Sequence, residues 1–340
     1  MYSKIKQKEI WRMKNMKSHI ASLLLVSGLS AAFNASAFEP SKPSCIAPAK
    51  PGGGFDLTCR ILSTGFANAD ITKIPMAVTF MPGGVGAVAY NYINSTTPDD
   101  PNKLVAFSSG SLLNLAQGKF GKNLDENNAR WVGTAGVDYG AIMVRADAPW
   151  NTLNELVDDI KKDPTKFVLG AGGGVGSQDW MKAAILMKSS GVDPKKMRYV
   201  AYEGGGEALA ALLGGHIKVY PGDVGEMKGL VESGKVKVLA IMSPERLKGE
   251  YSKYPTAIEQ GYDAEWTIIR GYYLGPKVSD EAYNYWAAQF QKAYKSPAFE
   301  KVVVDQNLVP FTMSGDTLDN YIKERVAYMR GLAKEAGLIK

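Results

Sequence analysis

The chain has 340 residues, 45% of them apolar and 22% charged, with 40 basic against 34 acidic side chains, a formal net charge of +6, two cysteines and two histidines. That length supports two lobes of ordinary size, each with its own core. The charge excludes a nucleic-acid binder: residues 1–37 carry Lys4, Lys6, Lys8, Arg12, Lys14 and Lys17 against Glu9, which is five of the six charges, and no later stretch interleaves basic and aromatic residues densely.

The basic start precedes an apolar run over 20–29, and Ala35-Ser36-Ala37 fits a cleavage site. Residues 1–37 therefore read as a secretory signal, with the mature chain starting at Phe38 and translation beginning at Met1, Met13 or Met16. From there, strand-like and helix-like segments alternate. A strand over 45–49 leads through Gly52-Gly53-Gly54 into a helix over 56–68. A strand over 76–81 leads through Pro82-Gly83-Gly84-Val85-Gly86 into 87–95, and one over 104–108 leads into 111–117. A strand over 141–145 precedes Thr152, which is placed to cap a helix over 153–162. The strand over 167–170 ends in Gly172-Gly173-Gly174 before a helix over 178–188, and 198–202 ends in Gly204-Gly205-Gly206 before 207–213. Strands over 217–220, 236–242 and 266–274 and helices over 226–233, 279–294 and 317–334 complete the chain. This order predicts an α/β fold with mostly parallel sheets.

Four glycine turns that join a strand to a helix share one chemistry. The first N–H groups of a helix have no partner within it, and the helix dipole adds partial positive charge there, so a carboxylate or phosphate suits the place. Enzyme chemistry is poorly provided for. Beyond the signal segment the only histidine is His216, in an apparent turn, with no nucleophile motif near it. Two cysteines and one histidine give no zinc set, and no phosphate-loop sequence occurs. Gly84-Val85-Gly86-Ala87-Val88-Ala89 matches the dinucleotide fingerprint, yet the acid expected at the end of the next strand is missing. No catalytic residue, metal or cofactor is expected.

Cys45 and Cys59 are an even pair, which favours a disulfide in an oxidising compartment. Against it, a strand running to Ala49 carries the chain about 13 Å away at about 3.3 Å per residue, whereas a bond needs Cα atoms within about 7 Å. A bridge and two buried thiols both stay open.

In its motifs the chain resembles the extracytoplasmic solute-binding receptors of the tripartite tricarboxylate transporter family, most of all their citrate-binding branch. Pro51-Gly52-Gly53-Gly54-Phe55-Asp56, Pro82-Gly83-Gly84-Val85-Gly86, Tyr202-Glu203-Gly204-Gly205-Gly206-Glu207 and the run from Tyr254 through Pro255 and Glu259 to Tyr262 fit that family's pattern. The branch is suggested by the two cysteines flanking Phe55, by Ser108-Ser109-Gly110-Ser111, and by Trp266-Thr267-Ile268-Ile269-Arg270-Gly271. The resemblance implies a two-lobed periplasmic binding protein of the type II, Venus-flytrap kind, each lobe a mainly parallel sheet flanked by helices. It implies lobe I from 38–138 plus 262–340 and lobe II from 139–261. It further implies a monomer in the periplasm that closes on citrate or a related carboxylate and docks on a two-subunit, sodium-coupled permease, binding no nucleic acid. A dicarboxylate or aromatic carboxylate on the same fold is the alternative, and a dinucleotide-dependent enzyme a more remote one.

On that reading, Gly53, Gly54, Phe55, Asp56, Pro82, Gly83, Gly84, Val85, Ser108 and Ser109 face the ligand from one lobe. Gly174, Ser177, Gln178, Tyr202, Gly204 and Gly205 face it from the other. Arg270, a charge in an apolar run, is either the guanidinium counter-charge for the ligand or a structural ion-pair member. As a counter-charge, its replacement by Ala is expected to weaken binding at least about tenfold with the fold intact. Asp56 either caps its helix or accepts from the ligand, Tyr202 either donates its hydroxyl or packs, and Lys50 is the second cation beside the first loop.

Overall fold

In this computed structural model, residues 38–335 and residue 339 are described, so the segment read as a signal lies outside the described residues. Nine strands and ten α-helices follow in chain order among the described residues. The strands are β1 (Ser44–Ala47), β2 (Ala77–Phe80), β3 (Lys103–Ser108), β4 (Arg130–Arg145), β5 (Val168–Gly172), β6 (Arg198–Tyr202), β7 (Tyr220–Asp223), β8 (Val236–Ile241) and β9 (Thr267–Leu274). The helices are α1 (Gly54–Asn68), α2 (Ala87–Ser95), α3 (Ser109–Ala116), α4 (Leu153–Lys162), α5 (Gln178–Ser189), α6 (Gly205–Leu213), α7 (Lys228–Glu232), α8 (Asp280–Ala293), α9 (Pro297–Asp305) and α10 (Gly315–Glu335).

Strand order runs β2-β1-β3-β9-β4-β7, with β8 also paired to β4, and β5-β6 form a second small sheet. The parallel pairing expected in each lobe is found at β1–β2, β1–β3 and β5–β6. The sheet is mixed, however, because β9 is antiparallel to β3 and β4, and β4 is antiparallel to β7 and β8. The cause is β4. Its first ten residues pair with β9, from Arg130 opposite Leu274 to Tyr139 opposite Thr267, and the residues after them pair with β7 and β8. One strand therefore serves both halves of the molecule.

Only residues 141–145 of β4 read as strand in the sequence, because Gly133, Gly136 and Asp138 interrupt the apolar pattern. The glycines have packing reasons. A Cβ at Gly133 would lie 2.3 Å from Phe290 Cγ, and Gly136 adopts φ +154° with a Cβ position 2.9 Å from the Val309 carbonyl. Both lie at shifts in the β4–β9 register.

One core collects Val105, Phe107, Leu112, Trp131, Ile269 and Leu318 with their neighbours. Two more, around Leu153, Leu169 and Leu186 and around Ala208, Leu212 and Tyr220, draw on the middle of the chain. Trp266 packs against the first of these cores and against the second. Helix α4 is capped as expected, with Glu155 N donating to Thr152 Oγ1 at 3.2 Å and the Glu155 carboxylate accepting from Thr152 N.

Cys45 and Cys59 form a disulfide with Cα atoms 5.5 Å apart. The geometric objection fails because β1 stops at Ala47 and α1 already starts at Gly54. Cys45 is then about 7 Å from the strand end, and five helical residues return the chain about 7.5 Å over it.

Candidate functional site

Five helix N-termini converge on one cleft. Their local sequences explain the convergence: each follows a strand end with a residue that caps the helix or bends freely. Ser108 caps α3 by accepting from Gly110 N at 3.2 Å, and Ser111 reaches back to Ser108 N. Ser177 caps α5, accepting from Trp180 N and donating to the Gly172 carbonyl at 3.2 Å. Gly53 and Gly204 precede α1 and α6, where neither helix has a side-chain cap. At α2 the turn takes Val85 to φ +54°, a left-handed conformation that strains a β-branched residue.

The inner cavity, about 480 Å³ of empty space including its mouth, is lined by Gly54, Phe55, Val85, Ser108, Gln178, Gly204, Gly205 and Arg270 among the expected residues. An adjoining outer cavity takes Gly84, Gly174, Ser177 and Tyr202 together with Asn114 and Lys119. The two share Val85, Gly173 and Glu203. Val85 touches Gly173 there, since a Cβ at Gly173 would lie 2.6 Å from its Cγ2.

Five expected residues line neither cavity. Gly53 packs edge to edge with α6, its Cβ position 3.0 Å from Gly205 N. Asp56, in the first turn of α1, accepts from Gly52 N at 2.8 Å and pairs with Arg60 at 2.7 Å, so its carboxylate is engaged within its own loop and helix. Ser109 accepts from Ile269 N at 2.9 Å inside the core. Pro82 is exposed, and Gly83 gives room to Val88, whose Cγ2 would lie 2.4 Å from a Cβ there.

Beneath the cavity lies a buried ionic network. Arg270, 1% exposed on β9, donates through Nε and Nη2 to Asp138 Oδ2 at 3.0 and 2.7 Å and through Nη2 to Asp223. Lys182 on α5, fully buried, pairs with Asp179 at 2.8 Å and with Asp223, and donates to the Gly222 carbonyl at 2.7 Å. Glu226 accepts from Gly54 N at 2.7 Å, from Asp223 N at 3.2 Å and from the Tyr220 hydroxyl. The N–H of Gly54, expected to meet a ligand, is thus held by a carboxylate from the facing side. Burial, with Asp223 and Asp179 nearby, pushes Glu226 up to about 8. Burial likewise raises Asp138 and Asp179. Burial works to raise Asp223 too, but Lys182 and Arg270 outweigh it and hold that carboxyl below its ordinary value.

Arg270 is therefore a member of a structural ion pair, as one of its two readings had it, and still lines the cavity. Its Nη1 donates to no described residue and sits where a Cβ on Gly54 would lie 2.4 Å away. Arg270→Ala would strip Asp138 and Asp223 of a shared cation, so the replacement is expected to cost stability as well as any ligand contact. Lys50 pairs with Glu207 at 2.9 Å across the cleft, and Gln117 and Lys119 reach the Gly176 and Val175 carbonyls.

Sequence reasoning missed Asp138, Asp179, Lys182, Asp223 and Glu226. A signal was present: Asp179 and Lys182 stand three apart among Ala183, Ala184 and Leu186, and Asp223 follows an apolar strand. These are the same anomaly that singled out Arg270.

The model of the tripartite tricarboxylate transporter family receptor, TctC, matches residues 65–338. A TctC solute-binding protein from Polaromonas is 26% identical, with a TM-score of 0.57 over 88% of this chain and 100% of its own. The periplasmic binding protein BugD is 21% identical, with a TM-score of 0.76 over 89% and 100%. MatC from Rhodopseudomonas palustris with bound malate is 20% identical, with a TM-score of 0.73 over 85% and 98%. The likeness to BugD gives this chain the two-lobed periplasmic binding protein fold. Among the described residues, no helix is long and apolar enough to cross a membrane.

Proposed function

The chain belongs to the tripartite tricarboxylate transporter family of receptors and is a receptor, not an enzyme, and we propose that it captures a small carboxylate in the periplasm by closing two lobes upon it. The lobes are 38–138 with 262–340 and 139–261, released as a monomer after loss of the signal segment. Closure presents the loaded form to a two-subunit, sodium-coupled permease, which engages the closed population that the ligand enriches.

The observation that carries this reading is the convergence of helix N-termini from both sides on one cavity, α1 with its first N–H on Glu226, α3 capped by Ser108 and α6 without a side-chain cap. Backbone N–H groups, the Ser108 hydroxyl and Nη1 of Arg270 supply donors for a carboxylate, which must be paired when water is excluded. Citrate or a related tricarboxylate is the ligand suggested by the loop motifs. A dicarboxylate is the second reading, favoured by the acids Asp179, Asp223 and Glu226 in the lining, which oppose a trianion, and in keeping with the malate held by MatC.

Thermal-shift screening against citrate, isocitrate, tricarballylate, succinate, malate and phthalate tests the proposal. A ligand that binds only the native state raises the melting temperature. A panel in which no carboxylate does so refutes it.

A further inference from the structure

The bonds that join residues placed in different halves by the two-lobe reading are unequal. The side chains of Lys50 and Glu207 are 48% and 37% exposed, and an ion pair so hydrated is worth little. Gln117 and Lys119 reach the Gly176 and Val175 carbonyls only at 3.3 Å. The bonds that Asp138 makes to Arg270 and to Gly225 N are rooted on β4, the strand both halves share.

Glu226 stands apart from these. Its Oε1 accepts from the N–H of Gly54, the first residue of α1, at 2.7 Å, and a Cβ on Gly205, the first residue of α6, would lie 2.2 Å from the same oxygen. Gly53 and Gly205 meet beside it, a Cβ at Gly53 falling 3.0 Å from Gly205 N. One carboxyl therefore sits between the N-terminal ends of two helices, one from each half. Neither helix has a side-chain cap, and without that carboxyl their partial positive charges would face each other with no acceptor between them. On its own half, Glu226 Oε2 meets Asp223 N at 3.2 Å and the Tyr220 hydroxyl. Asp223, Asp179, Tyr220 and Arg270 are the titratable groups that face it, and burial beside the two acids pushes it up to about 8. At neutral pH it thus bonds Gly54 as an uncharged acceptor, and no unpaired charge is enclosed when the halves meet.

Resting on the two-lobe closure reading, we propose that Glu226 is a positioning residue for capture, an internal latch that takes the amide at the head of α1 from the opposite half and holds the two helix ends together through the chain's own atoms. Gly205 belongs to the device, because any side chain there would take the place of the carboxyl. Closure then has a component that no ligand supplies, and a bound acid completes an association that the chain has already begun.

Hydrogen exchange of the full chain read by mass spectrometry, with solution scattering beside it and no carboxylate in the buffer, tests the latch. Glu226→Met keeps the volume and removes the acceptor. Exchange should then rise about fivefold or more, the factor that one lost hydrogen bond implies. The rise should reach beyond Gly54 to peptides over 82–90 and 173–178, which meet at Val85 and Gly173 and make no hydrogen bond to Glu226, and the radius of gyration should grow. Glu226→Gln, which retains an uncharged acceptor, should keep the parent's rates. Gly205→Ala, which drives a methyl group against Oε1, should loosen the same peptides and carries the test if Glu226→Met does not fold. Faster exchange confined to the start of α1, parent-like rates in Glu226→Met and Gly205→Ala, or a Gln variant as loose as the Met variant overturns the latch and leaves the carboxylate receptor standing. If citrate or malate binds Glu226→Met without restoring protection, the closure reading fails and the latch with it.

Discussion

Replacing Arg270 by Ala tests the ionic network most directly. Asp138 is fully buried and Asp223 is 5% exposed, so neither can recover hydration when the guanidinium leaves. Removing one partner of a buried ion pair destabilises by about 3–5 kcal/mol, because the other charge is left uncompensated. With an unfolding entropy of about 2.1 cal/mol/K per residue, a chain of this size has roughly 0.6 kcal/mol/K in all, so the melting temperature should fall by about 5–8 °C.

A double-mutant cycle separates charge from lost packing. Asp138→Asn alone strips Arg270 of a partner, but in the Arg270→Ala background it removes an orphaned carboxylate. The double variant should therefore be more stable than the sum of the single changes by at least about 1 kcal/mol. Melting curves of the four proteins give the result. If Arg270→Ala melts within about a degree of the parent, or the cycle is additive, the network is not the support described here.

Gly206→Ala places a Cβ 2.2 Å from the Pro51 carbonyl oxygen across the cleft; ligand affinity should fall about tenfold or more as the closed population shrinks, with a larger radius of gyration in solution scattering, and unchanged affinity refutes the contact. Replacing Cys45 and Cys59 by Ala opens a loop with a sequence separation of 14, so stability measured by denaturant should drop by about 3 kcal/mol, and a parent-like midpoint would show the bridge to be dispensable. Glu226, pushed up to about 8 when folded, holds a proton there that the unfolded chain has already lost above its ordinary range. Stability should therefore fall as pH rises from about 4.5 to 8, with Glu226→Gln giving a shallower slope; an unchanged slope in that variant would assign the effect elsewhere.

The parts of the molecule that follow from local chemistry were legible in the sequence. The glycine turns, the Thr152 cap and the starts of α2, α4 and α5 depend on residues within a few positions of one another. What was not legible depends on meetings across the chain. The first half of β4 hides behind Gly133 and Gly136, which make sense only against Phe290 and Val309. The helix α9, opened by Pro297, went unread beside the longer α8. Nor does any local pattern reveal that Asp138, Asp223 and Arg270, spread over 133 positions, share one buried cluster. The cleft was recognisable by its amides and not by its acids, because glycines advertise their backbone and a lone buried charge reveals its partner only in three dimensions.

Strand β3 finishes its hydrogen bonding on β9, and the pairing joins Val105 to Tyr273 and Ser108 to Arg270. More than 160 residues must be made before that seam can close. Contacts of such separation are slow to form, since the intervening chain must be confined before anything is gained. The N-terminal third is thus held back from maturity until the last strand arrives, and a chain halted before that point keeps an open, templating edge.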